Sequence, residues 1–361
     1  MDTNKNLALG ARQNSSKLFS LLAKNWALFF LLILILIFSF TGTRFFQLAN
    51  FQNIIHLSTT SLILASAETF VIITGGIDLS VGFMMGLSSV LSATIMQRMH
   101  AVNFHPAFSI LAGSIIALIA CITAGLISGI MITKYRVPSF IATLGMGGIV
   151  SGIALIMSEG FPVTFLPPYL TDIGNGYLIY IFPGKAISFF NKPEGISGVD
   201  LKQLIRIIPN SFIFIAIILF ILWHILKNTK FGQHTYAIGG SMVAAVRAGI
   251  NTRKHLIIIY VLSAFLAGLA GVFNVFQTGS GNYTQFSSMY ELLAVASVVI
   301  GGASLFGGKG RIIGSVIGVI LISVIENGLQ LSGVDPFYRF IAVGLILIAA
   351  IIIDQSFPDL F

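Results

Sequence analysis

The sequence predicts an all-α polytopic membrane protein of about ten transmembrane helices, with both termini cytoplasmic. Three observations carry this. Of the 361 residues, 56% are hydrophobic and 9% charged, whereas soluble domains run near a quarter charged. Apolar runs close to the ~20 residues a bilayer demands recur along the chain. The 37 glycines suit helices that pack closely in lipid, where small residues let backbones approach. The whole chain, 1–361, reads as a single transmembrane domain.

Residues 1–24 are polar, carry Lys5, Arg12, Lys17 and Lys24, and read as a cytoplasmic N-terminal segment. The first span, 26–40, is expected to be retained, because no small-x-small cleavage site follows Phe40. The second covers 54–73 and the third 80–96. The fourth, 107–132, ends at Lys134 and Arg136, and Pro138 opens the fifth, to 157. Residues 159–208 break the pattern with prolines and charges, and form a long extracytoplasmic loop in which 179–190 reads as a short interfacial helix or lid. The sixth span is 209–226, the seventh 256–276 and the eighth 290–300, which is short enough to be broken or re-entrant. The ninth is 312–331 and the tenth 337–353. Short cytoplasmic segments collect Lys and Arg. With the 159–208 loop left out, this topology places 13 of them inside and 3 outside.

The segment Thr74-Gly-Gly-Ile-Asp-Leu-Ser-Val-Gly82 puts two glycines, an aspartate and a serine between two apolar runs. Gly75 and Gly76 permit a sharp turn. Asp78 and Ser80 are expected to cap the next helix, because backbone groups in lipid must be satisfied within the protein. The motif therefore reads as a polar hinge. Gly301-Gly-Ala-Ser-Leu-Phe-Gly-Gly308 aligns with 75–82, matching Gly75, Gly76 and Gly82 with Gly301, Gly302 and Gly308, with Gly307 beside them. Internal repeats mark many transporters. A plain connecting loop is the competing reading, and the second copy weighs against it.

Glu68, Glu291 and Glu326 fall within or beside predicted spans, where a carboxylate costs roughly 2.5–3.5 kcal/mol at the bilayer centre. Structural hydrogen bonding is the favoured role. A polar substrate path and an interfacial position are the alternatives. The chain shows no catalytic cluster: its six histidines form no metal motif, and no GxxxxGK[ST] phosphate loop exists. Cys121, the single cysteine, rules out an internal disulfide framework and reads as a packing residue. The net charge of +8 is explained by cytoplasmic loops, so no nucleic-acid partner, cofactor or metal is expected.

Within the cytoplasmic loop 227–254, residues 232–250 are the second informative stretch. Ser241 is placed to cap a short helix through Arg247, and Gly249 to end it. Its small, mildly apolar residues suit docking into another protein's groove, with a solvated connector as the alternative.

Together these stretches resemble the permease subunits of ATP-binding-cassette importers for monosaccharides of the ribose, galactoside and xylose type. The resemblance covers nearly the whole chain. It rests on 73–82, on Pro138-Ser-Phe-Ile-Ala-Thr-Leu-Gly-Met146, on Tyr236-Ala-Ile-Gly-Gly240 with Ala244, Ala245, Gly249 and Ile250, on 299–304 with 307–310, and on Glu326-Asn-Gly-Leu329. It implies a multi-pass protein of the bacterial cytoplasmic membrane, forming a homodimeric pore in lipid. It also implies a separate cytoplasmic ATPase carrying ATP and Mg, and an extracytoplasmic sugar-binding protein. Gly239, Gly240, Ser241, Ala244, Ala245, Arg247 and Gly249 would then couple to the ATPase. Two departures stand out: Ser241-Met-Val243 replaces the usual Asn and acidic residues, and 159–208 is longer than in the family. Another small polar cargo, or less readily an ion-coupled carrier, is the alternative function.

Overall fold

A computed structural model describes residues 26–42, 44–183, 186–192, 204–283 and 289–335, with parts of 337–352. The expected N-terminal segment 1–24, the carboxyl-terminal tail and part of the tenth span lie outside the described residues.

The chain runs α1 Trp26–Thr41, α2 Leu48–Ile73, α3 Val81–Ala101, α4 Pro106–Lys134, α5 Ser139–Ser158 and α6 Leu170–Asn175. Three strands follow, β1 Ile179–Phe182, β2 Ala186–Phe189 and β3 Ile205–Arg206. Then come α7 Asn210–Asn228, α8 Lys230–Gly240, α9 Met242–Arg247, α10 Thr252–Thr278, α11 Tyr290–Ile300 and α12 Ile312–Leu331. Among the described residues six helices, α2, α4, α5, α7, α10 and α12, are long and apolar enough to cross a membrane, and α1 and α11 are shorter apolar helices. The mostly helical, polytopic character expected from composition is therefore present.

Burial sorts the helices into an inner and an outer set. In their most apolar stretches α2 is 78% buried and α10 and α12 are 67% buried, against 33% for α4 and α5 and 28% for α7. Helix α3 is buried by protein along most of its length. Its Ser88, Ser89 and Ser92 are fully buried. Ser88 donates to the Gly268 carbonyl at 2.7 Å and Ser89 accepts the Asn282 N–H at 3.0 Å. A second apolar cluster joins α1 to α11 and α12 through Leu31, Phe38, Val299 and Leu321.

Small residues set the crossing of α4 and α10. Gly125 and Gly129 of α4 face Tyr260, Ala264 and Ile257 of α10, so the two backbones approach where larger side chains would hold them apart. Cys121 packs on the same seam against Gly268 and directs its thiol to the Met84 carbonyl at 3.6 Å.

The long loop corrects one expectation. Ile179–Phe182 and Ala186–Phe189 pair as antiparallel strands and not as a helix. β1 is the centre of a three-stranded antiparallel sheet in the order β2-β1-β3, with Tyr180 opposite Ser188 and Arg206. The alternation of half-buried Ile179 and Ile181 with buried Tyr180 and Phe182 is the period-two signal of a strand with one covered face. Gln52 of α2 ties the sheet to the bundle through the Arg206 carbonyl at 2.7 Å.

Candidate functional site

Both glycine turns end their helices in the same way. At the end of α2, Gly75 (φ +79°) donates to the Ile72 carbonyl at 2.8 Å and Gly76 to that of Val71 at 3.1 Å. At the end of α11, Gly302 (φ +88°) donates to Val299 at 2.9 Å and Ala303 to Val298 at 3.1 Å. This is the paired 5→2 and 6→1 closure of a helix end whose left-handed residue favours glycine. The structure thus corrects the sequence register by one residue: Gly302, not Gly301, occupies the place of Gly75. Gly301 keeps a helical φ of −69° and serves close packing, because a side chain there would strike the backbone of Gly314 on α12.

After Gly76 the chain turns back into the bundle. Four successive N–H groups in this irregular stretch are met by side chains. Ile77 donates to Ser139 Oγ at 3.2 Å, Asp78 to Glu68 Oε1 at 3.0 Å, Leu79 to Thr143 Oγ1 at 3.0 Å and Ser80 to Asp78 Oδ1 at 2.9 Å. That satisfies the rule that backbone groups away from water find partners inside the protein. Asp78 Oδ2 accepts from Ser263 of α10 at 2.7 Å. The expected capping is revised: Ser80 is the N-cap residue but makes no side-chain cap to α3, and its hydroxyl donates back to Asp78 at 2.5 Å. Glu68 and Asp78 are 0% and 1% exposed, and Glu68 Oε2 has no hydrogen-bond partner.

The three glutamates lie at separate places. Glu68 holds the first turn. Glu291 opens α11 and fits only because Gly82 opposite it has no side chain. Glu326 lines a small cavity of about 60 Å³ between α2, α11 and α12, with Ser61, Ser297 and Ser323. No continuous acidic path joins them among the described residues.

The two turns and the α8–α9 pair converge. The Gly308 N–H donates to the carbonyl of Ile73, the last residue of α2, at 2.8 Å. Gly239, near the end of α8, lies so close that a β-carbon there would overlap the same Ile73 carbonyl and stand 2.5 Å from the Gly308 nitrogen. Gly307 sits between Gly239 and Gly75, with contacts of 3.0 Å to each from an added β-carbon. By contrast, a side chain at Gly240 would meet nothing within 4 Å. Tyr236 of α8 latches the second turn by donating to the Gly310 carbonyl at 2.7 Å. Burial raises the pKa of this phenol, against the opposing effect of the Arg311 charge, so it remains a donor.

Thr229 caps α8 through the Gly232 N–H, and Ser241 caps α9 through the Ala244 N–H at 3.2 Å. Gly249 (φ +82°) ends α9, and Ile250 donates to Ala245 at 3.1 Å. Ala245 is buried, whereas Met242, Val243 and Val246 are 47%, 63% and 55% exposed. Ala244 and Arg247 are exposed too. His255 pins the pair to α10 by its hydrogen bond with Thr235 at 2.9 Å. The residues that sequence reasoning passed over are Ser139, Thr143, Tyr236 and Ser263. Three of them lie inside the stretches 138–146 and 236–240, where their hydroxyls were the available signal.

A family model described as a branched-chain amino acid transport system permease component matches residues 50–351. The chain is 33% identical to the ribose import permease protein of Escherichia coli strain K12 over 326 residues, 90% of this chain and 92% of that one. The chain belongs to this permease family. It is also 36% identical to the ribose import permease of Bacillus subtilis strain 168, over 90% of this chain and 91% of that one. The galactose/methyl galactoside import permease of Haemophilus influenzae strain Rd is 33% identical, over 94% and 96%. No solved structure matches. The resemblance read from the motifs is borne out, and the permease is a multi-pass inner-membrane protein. Its two turns and its α8–α9 pair are parts of one transport subunit.

Proposed function

We propose that this permease is the membrane subunit of an ATP-driven importer of a ribose- or galactose-like monosaccharide. A second copy completes the pore, a separate cytoplasmic subunit hydrolyses ATP with Mg, and an extracytoplasmic binding protein delivers the sugar. One line supports the cargo: the relatives that match over nearly their full length are ribose and galactose/methyl galactoside import permeases.

The observation that carries the mechanism is the junction of Gly239, Ile73 and Gly308. The exposed Met242, Val243 and Val246 give α9 a face for the ATPase, flanked by Ser241, Ala244 and Arg247. Motion imposed on α9 passes to α8, and α8 bears on both glycine turns at once through backbone contacts. Backbone contact transmits displacement with little slack, because close-packed interiors do not deform continuously. The turns then tilt α2 and α3 on one side and α11 and α12 on the other. ATP and the loaded binding protein supply the differential affinity that such a cycle requires.

Reconstitution tests the proposal. The permease with its ATPase in proteoliposomes should take up labelled ribose or galactose only with ATP and binding protein present. Uptake by the permease alone, driven by an ion gradient, would overturn it.

A further inference from the structure

A cavity of about 800 Å³ lies where α6 and residues Phe190–Lys192 lean over α7 and α10. It is separate from the glycine turns, and its two ends differ in chemistry. The deep end is walled by Ile213, Phe214 and Ile217 of α7 and by Phe273 and Phe276 of α10. Phe214 and Phe273 stack there at 4.5 Å with their planes 7° apart. Ile217 lies about 10 Å along the axis from Asn210, at 1.5 Å per residue, on a helix long and apolar enough to span a membrane, yet it is 55% exposed.

The rim is polar. The Lys192 ammonium and Asp172 carboxylate face each other at 3.5 Å, with side chains 53% and 60% exposed. An ion pair so exposed contributes little by itself, and both groups stay available to a ligand. Asn210 lines the same rim, and its side-chain oxygen is buried with no hydrogen-bond donor.

This segregation selects among occupants. A monosaccharide can lay a C–H face on phenylalanine, but it carries neither an acyl chain to cover the apolar wall nor a charge to meet Lys192 and Asp172. An amphiphile with one apolar and one charged end matches both. We propose that the cavity seats an acyl chain of a glycerophospholipid with a primary-ammonium headgroup. Its phosphate faces Lys192, and its ammonium faces Asp172. A primary ammonium donates hydrogen bonds to that carboxylate, and a quaternary one does not. The bound lipid would fasten the segment that carries α6 and the sheet onto α7 and α10.

The test uses the full chain, with whatever subunits co-purify, in nanodiscs of equimolar phosphatidylethanolamine and phosphatidylcholine, released for native mass spectrometry. Phosphatidylethanolamine should be retained over phosphatidylcholine. Ile217→Trp, which fills the deep end, should strip the lipid. Lys192→Glu, at an exposed position with no fold to lose, should cut retention about tenfold or more, as the loss of a charge-assisted contact does. Equal retention of the two lipids, or retention unchanged by Ile217→Trp, overturns the proposal. So does wild-type protein that holds no lipid, the result expected if a second copy fills the groove. Displacement of the lipid by added ribose or galactose would assign the cavity to sugar and overturn it equally.

Discussion

The amide of Gly308 donates to the carbonyl of Ile73 at 2.8 Å, so the turn that follows α11 closes directly on the last residue of α2. Two segments that resemble each other in sequence are thereby made one mechanical unit. Gly239 of α8 is wedged against the same carbonyl. A shift of the α8–α9 pair of the kind proposed would therefore bear on both turns.

Adjacent glycines of α8 should therefore behave differently. Gly239→Ala places a methyl into the Ile73 carbonyl, whereas Gly240→Ala meets nothing within 4 Å. Overpacking costs about 1–3 kcal/mol, enough to push α8 off the turns. Gly239→Ala should lower ATP-driven uptake about tenfold or more while the complex still assembles, and Gly240→Ala should transport normally. Equal behaviour of the two variants would show that the junction does not transmit motion.

Much of this architecture is legible in the sequence, for identifiable reasons. Helices α11 and α12 match the expected bounds because glycines and basic residues delimit them. The sheet in 159–208 was missed because strands of two to four residues give a short alternation that aromatic content imitates. The one-residue shift between the repeats was invisible because Gly301 and Gly302 are alike in sequence and differ only in φ. The meetings of Glu68 with Asp78 and of Gly239 with Ile73 depend on tertiary packing, which no local pattern encodes.

The left-handed residues of the two turns should respond alike. Gly75→Ala and Gly302→Ala each force a side chain into positive φ, at about 1–2 kcal/mol. Each should lower the thermal unfolding midpoint by a similar amount. Gly301→Ala is expected to act differently, by separating α11 from α12 at Gly314. Cross-linking between engineered cysteines on those two helices would report it.

Glu68 serves the first turn as an acceptor for the Asp78 N–H. Glu68→Gln keeps that acceptor and should preserve both stability and uptake. Glu68→Ala leaves a buried N–H unmet and should destabilise by about 1–3 kcal/mol. If Glu68→Gln abolished uptake at unchanged unfolding temperature, the carboxylate would belong to a transport path instead of the turn.

Position within α9 decides the last contrast. Val243 is 63% exposed and Ala245 is 3% exposed, although both lie on the segment expected to meet the ATPase. Val243→Asp puts a charge on the surface, where substitutions ordinarily change stability by less than about 0.5 kcal/mol. It should leave the unfolding temperature of the isolated permease unchanged and weaken capture of the ATPase subunit. Ala245→Asp buries an unpaired carboxylate and should instead destabilise the permease itself. Measuring unfolding and ATPase capture for both variants separates a docking face from a packed one. Val243→Asp that retains full ATPase capture would move the docking surface away from the exposed side of α9.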